Sequence, residues 1–145
     1  MDYREHSKDL LERKKSLTSA YAAIKNELLM LEEEESACKR FVSRAKADNS
    51  DTVDYNDRLI NILVELDDCR FRKSVVEREL RKIQTGLDSL DDYQRELIEY
   101  FYIEKQSGAA DALMEKWFKE RSSIYRDKSV ALEQFTRSVY GVITL

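Results

Sequence analysis

Proline is absent from the 145 residues, and glycine occurs only three times. These residues end helices and make tight turns, so their scarcity predicts long uninterrupted helices and argues against a turn-rich β-sheet. Cysteine is nearly as scarce. Cys38 and Cys69 are the only two, and His6 is the only histidine. Two thiols and one imidazole cannot complete an ordinary four-ligand zinc site unaided, and no metal or other cofactor is expected. No run of about 18 apolar residues is present, so no membrane-spanning helix and no membrane partner are expected. The stretch Met1 to Lys15 is mostly polar and charged, unlike a secretory signal. A cytoplasmic location with reduced thiols is therefore expected. Catalytic patterns are also missing: no glycine-rich phosphate loop, no carboxylate pair set for a cleft, no nucleophile beside a base. The expectation is a protein that is not an enzyme.

Charge, by contrast, is plentiful. Charged residues make up 37% and hydrophobic residues 42%, with a formal net charge of -4. This mixture favours elongated amphipathic helices. The acidic balance, taken whole, weighs against a nucleic-acid partner, so the distribution of charge decides more than its sum.

Two heptad runs dominate the first two-thirds. Leu17, Tyr21, Ile24, Leu28, Leu31, Glu35, Cys38, Val42 and Ala45 alternate spacings of four and three, the seam of a coiled coil. Leu59, Ile62, Leu66, Cys69, Lys73, Val76, Leu80, Ile83, Leu87 and Leu90 repeat the pattern. Between them, Asp48-Asn49-Ser50-Asp51-Thr52 is dense in turn residues, and Asp51 or Thr52 can cap the second helix. If the chain reverses near Thr52, Ala45 meets Leu59, Val42 meets Ile62, Cys38 meets Leu66, Leu28 meets Val76, Ile24 meets Leu80, Tyr21 meets Ile83 and Leu17 meets Leu87. Glu35 falls opposite Cys69 and Lys73 opposite Leu31, close enough for the two charges to pair. The expected fold is all-α: an antiparallel coiled-coil hairpin over 1–87, with helices at about 5–47 and 53–87, arms roughly 50 Å long at ~1.5 Å per residue, and a small C-terminal helix-turn-helix-like unit over 88–145. Gly86 is expected to loosen or end the second helix.

Apolar residues also stand beside the seam: Leu11, Leu29, Phe41, Ile60, Leu63, Phe71 and Val75. They form a second stripe for the C-terminal helices, a second copy (making a homodimer), or another partner helix to cover. The run Glu32 to Glu35 reads as a solvated face, and Cys38 and Cys69 as small core residues.

The C-terminal third predicts three helices. The first begins near Ser89, with Ser89 and Asp92 as a capping-box variant and Leu90, Leu97, Ile98 and Phe101 on one apolar face. Lys105 to Gly108 is a turn. Ala109 to Phe118 is a short helix with Leu113, Met114 and Trp117 inward. After a turn near Lys119, a last helix runs from Ser122 to about Val139, with Ile124, Ala131, Phe135 and Val139 inward and Ser122, Arg126, Ser129 and Glu133 opposite.

Ser122-Ser123-Ile124-Tyr125-Arg126, followed by Ala131-Leu132 and Phe135, resembles the recognition helix of sigma-factor region 4. Leu90 to Ile98 followed by Phe101-Tyr102 resembles that region's opening helix. The whole layout is similar to the ArpU/RinA-type late transcription regulators of bacteriophages and prophages of Gram-positive bacteria. The detailed match spans roughly Leu90 to Phe135. The resemblance implies a phage or prophage regulator in the bacterial host cytoplasm that binds double-stranded promoter DNA, host RNA polymerase, or both. Met114 and Phe118 depart from the family, where a small residue and a nearby glycine are usual. Bulk at both is expected to crowd the angle between the two helices.

Chemistry allows the DNA reading. A recognition helix uses its N-terminal residues on base edges. Arg121 and Arg126 can contact guanine edges or phosphates, Ser122 and Ser123 either, and Lys116, Lys119 and Lys128 phosphates. Tyr125 stands among them on the same helix. From Lys116 to Lys128 five cations face only Glu120 and Asp127. The alternative is a helical protein-protein interaction module (an adaptor, antagonist or small structural component) in which this basic run is simply a solvated face.

Overall fold

The computed structural model describes residues 1–48 and 51–145. Among these described residues six α-helices follow in order: α1 Tyr3–Glu12, α2 Lys14–Ala47, α3 Val53–Asp88, α4 Asp92–Ile98, α5 Ala109–Trp117 and α6 Arg121–Tyr140, with a π-helical turn at Glu99–Ile103 between α4 and α5. The all-α class and the long helical pair agree with the sequence pattern. Among the described residues no helix is long and apolar enough to cross a membrane. The expected first helix is broken at Arg13, whose N–H is shared between the carbonyls of Asp9 and Leu10 (both 3.2 Å). The chain divides into two compact units, Met1–Thr18 with Arg78–Leu145, and Ser19–Glu77. The boundary expected at residue 87 falls inside the first of these.

The Ser19–Glu77 unit is the hairpin. Asn49 and Ser50 of the expected turn lie outside the described residues. The Asp51 carboxylate accepts from the Val53 N–H at 3.0 Å, the role a capping acid plays at a helix start. Ile24, Leu31, Cys38, Ile62, Leu66 and Cys69 are buried together, flanked by Leu28, Tyr55, Leu59 and Val76. The register differs from the expected one. Cys38 donates to the carbonyl of Tyr55 (3.2 Å) and Cys69 to that of Ile24 (3.6 Å), where Leu66 and Glu35 are the expected partners. Tyr21 donates to Glu77 at 3.1 Å, where Ile83 is expected. Each of these α2 residues thus faces a position on α3 that lies 6 to 11 residues nearer the turn than expected, a slip of about one heptad in that direction. A heptad stripe superposes on itself when slid by seven residues, so apolar spacing alone leaves this register open. The slip also separates Glu35 from Lys73. Each pairs instead one turn along its own helix, Glu35 with Lys39 and Lys73 with Glu77, both at 3.5 Å.

The other unit is built around Phe135. Leu10 and Leu11 of α1, Ile83 and Leu87 of α3, Leu97 and Ile98 of α4, Leu113 of α5 and Ile124 and Ala131 of α6 surround it in one core. Burying a leucine-sized side chain contributes about 1.5–3 kcal/mol. Leu11, expected beside the hairpin seam, is fully buried here. Gly86 does not end α3. A Cβ there would lie 2.3 Å from Cε2 of Phe135, so the glycine lets the ring reach the α3 backbone. The helix stops two residues later, where the Ser89 hydroxyl donates to the Gly86 carbonyl at 2.6 Å. The capping box therefore sits at Asp91, two residues after the expected Ser89. The Asp91 carboxylate accepts from Gln94 N–H (2.7 Å) and the Gln94 side chain from Asp91 N–H (3.2 Å).

The chain termini close this unit. The Met1 ammonium donates to the Leu145 carbonyl (2.7 Å) and Tyr3 N–H to that of Ile143 (2.8 Å). Buried Ser7 and Thr136 share a hydroxyl hydrogen bond of 2.8 Å between α1 and α6.

Candidate nucleic-acid interface

Helix α5 ends at Trp117, Phe118 turns the chain with φ 54° and ψ 48°, and α6 starts at Arg121. The left-handed residue between two helices is the position that favours glycine. Phe118 occupies it with its ring almost wholly in solvent. The expected crowding does not arise, because the ring points away from the helix crossing and Met114 packs half-buried at the core edge. The two helices pack through buried Leu113, Ile124 and Ala131. Outward from α6, Arg121, Ser122, Tyr125, Arg126 and Ser129 are exposed, and Ser123 is half-buried. Glu133 at the far end is half-buried and pairs with Arg4 at 3.3 Å.

Most cations of this segment already have partners, which its linear charge does not show. Lys116 pairs with Glu96, whose other oxygen accepts from the Trp117 indole N–H at 2.7 Å. Lys116 holds the Glu96 carboxyl below the usual carboxylate range, and Glu96 in turn raises the lysine. Arg121 pairs with Asp111 of α5. Lys119 lies 3.2 Å from Asp127 and 4.4 Å from the Tyr93 ring centre. Asp127 also accepts from the Tyr93 hydroxyl at 2.8 Å. Burial alone would raise the Asp127 carboxyl, but the hydrogen bonds from Tyr93 and Lys119 outweigh it and the net shift is downward. Burial, with Asp127 adding to it, pushes the Tyr93 phenol up.

Lys128 has turned inward to aromatic faces. Its ammonium lies 4.6 Å from the ring centre of Phe101 and 5.4 Å from those of Tyr102 and Tyr125. The π-helical turn supplies Phe101 and Tyr102. Burial lowers this lysine from its ordinary value, with Lys8 adding to the effect, while the ring quadrupoles favour the cation. Arg126 is the freest cation, with its side chain 73% exposed and only a long contact, 3.7 Å, to Asp127.

The eight residues singled out from the sequence therefore separate. Arg121, Ser122, Tyr125 and Arg126 share an outer face at the start of α6, with Ser123 at its edge. Lys116 and Lys119 are tied to acids, and Lys128 is capped by rings. Sequence reasoning missed the acids Glu96 and Asp111, which are far along the chain from their partners. Asp127, next to Arg126, was the one visible signal. Among the described residues no cluster of histidine, cysteine, aspartate or glutamate can hold a metal ion. No protein-family model, no curated protein and no solved structure matches the chain.

Proposed function

We propose that this chain is a transcription regulator of the ArpU/RinA kind, which presents the start of α6 to duplex DNA within a promoter complex. The observation that carries the reading is the α5–turn–α6 geometry. A left-handed residue at Phe118 joins two helices packed through Leu113 and Ile124, and it leaves Ser122 and Arg126 exposed on the first turns of the second helix. That is the part of a recognition helix that meets base edges. Because three of the five cations are matched by acids, the electrostatic share of binding is small. Log K is expected to fall with log salt at a slope of about -2 to -3, from two or three phosphates neutralised.

The test is fluorescence anisotropy on labelled duplexes over a salt series. Arg121→Ala with Arg126→Ala should abolish binding at unchanged helicity. Asp111→Asn, which frees Arg121, should tighten it severalfold. Unaltered binding by the double variant would remove this face from the mechanism.

A second reading has its own support. The solvated Phe118 ring and the exposed Tyr125, on a segment most of whose cations are already paired, suit a protein partner such as an RNA polymerase subunit. Under that reading Asp111→Asn leaves duplex binding unchanged, and Phe118→Ser weakens capture of purified polymerase.

A further inference from the structure

The outer face of α3 in the hairpin unit is apolar where a solvated helix face should be polar. Ile60, Val64, Phe71 and Val75 are all exposed, Phe71 at 66%. At 100° per residue they form one line, bordered midway by Asp67 and Asp68, on the side of α3 opposite the seam residues Ile62, Leu66 and Cys69. The equivalent outer line of α2 carries Asn26, Glu33, Arg40 and Arg44, all exposed, with Leu29 as its large apolar member. The hairpin therefore has one mostly wetted back and one mostly apolar back.

Two properties of this face identify its occupant. The apolar spacings are four, seven and four residues, a pattern that reads the same in both directions. Reversing the helix about the point between Asp67 and Asp68 lays Ile60 on Val75 and Val64 on Phe71. Charge is also divided at that point. On the N-terminal side Asp54, Asp57, Glu65 and Asp67 outnumber Arg58, and on the other Arg70, Arg72 and Lys73 outnumber Asp68 and Glu77. A second α3 running antiparallel brings the acidic half of each helix beside the basic half of the other, and only at the centre do Asp67 and Asp68 of the two copies meet acid to acid. A parallel one sets acid on acid and is repelled. A face that matches itself on reversal in both shape and charge is the requirement for a two-fold interface.

We infer that two copies of this chain pair antiparallel through the outer face of α3, with Phe71 and Val64 at the centre of the contact. The inference uses the hairpin unit alone and does not depend on the function proposed above.

Sedimentation velocity of the full chain over a concentration series should show a reversible dimer. Phe71→Glu, at a site exposed in the single chain, should weaken it at least tenfold, as truncating a central contact does, with circular dichroism unchanged. Spin labels at exposed single-cysteine sites then fix the direction. A label at Asp67→Cys should report a short distance to its copy. A label at Ile60→Cys should report one longer by about 20 Å, from about 15 residues of axial offset at ~1.5 Å each. The proposal is overturned by a chain monomeric at high micromolar concentration, by a Phe71→Glu dimer of parental affinity, or by a short Ile60 distance, which means parallel pairing. Seating of a different protein on the stripe of a monomeric chain overturns it as well.

Discussion

Phe118 holds a left-handed backbone with its ring 94% exposed. A side chain with a Cβ costs about 1–2 kcal/mol in that region, and a solvated ring recovers none of it by packing. Phe118→Gly should therefore stabilise the fold, by up to about 1 kcal/mol after the added freedom of the unfolded glycine is subtracted, and Phe118→Ala should not. Thermal melts of the two variants decide the point. An unshifted midpoint for the glycine variant would mean the turn is unstrained. Gly86 is the converse case, since Phe135 occupies the space a Cβ would need. Gly86→Ala should cost about 1–3 kcal/mol by overpacking, and combining it with Phe135→Leu should cost less than the two singles summed. Denaturant midpoints supply the cycle, and strict additivity would show that the ring simply moves aside. Neither effect is legible in the sequence. Composition suggests that a glycine ends a helix, and only the position of Phe135, 49 residues on, shows that Gly86 is a contact.

Elements were more legible than their partners. The heptads located α2 and α3 because apolar periodicity is a local property, and the turn residues located the break between them. Register was hidden because a repeat is indifferent to sliding by its own period, and the Arg13 break because no proline or glycine marks it. The same limit applies to the candidate site. Its outer residues follow from helix periodicity, while two of the acids that neutralise it, Glu96 and Asp111, arrive from α4 and α5 and a third, Asp127, lies on α6 itself. One of these ties, Asp127 to Tyr93 and Lys119, links α6 with α4 and the turn and makes the unit acid-sensitive. The folded carboxyl titrates below its ordinary value, so its contribution is fully present above the unfolded value of about 3.9 and is lost as pH falls through the folded one. Stability against urea should drop below about pH 4. In Asp127→Asn that part of the acid limb should be absent. Equal acid limbs in the two proteins would show that Asp127 contributes nothing to it.

For the whole molecule, the division of the chain is the feature that linear reading places differently. Gly86 and the capping residues near Ser89 suggest a separate C-terminal unit over 88–145. However, the core around Phe135 takes Leu10 and Leu11 from α1 and Ile83 and Leu87 from α3. Burial at 1% for Leu10 and 0% for Leu11 makes α1 part of that core, and the Ser7–Thr136 bond and the paired termini hold it there. Removing a buried leucine costs about 2–5 kcal/mol, and a fragment of residues 88–145 loses four such side chains against a typical total stability of about 5–15 kcal/mol. That fragment should be unfolded, without the near-ultraviolet circular dichroism of a packed Trp117. A chain in which Met1–Thr18 and Arg78–Leu145 are joined by a short glycine-serine linker in place of Ser19–Glu77 should recover the signal and melt cooperatively. If the short fragment folded as well as the joined one, α1 would be an accessory to this core instead of a member of it. Any duplex binding could then be assigned to residues 88–145 alone.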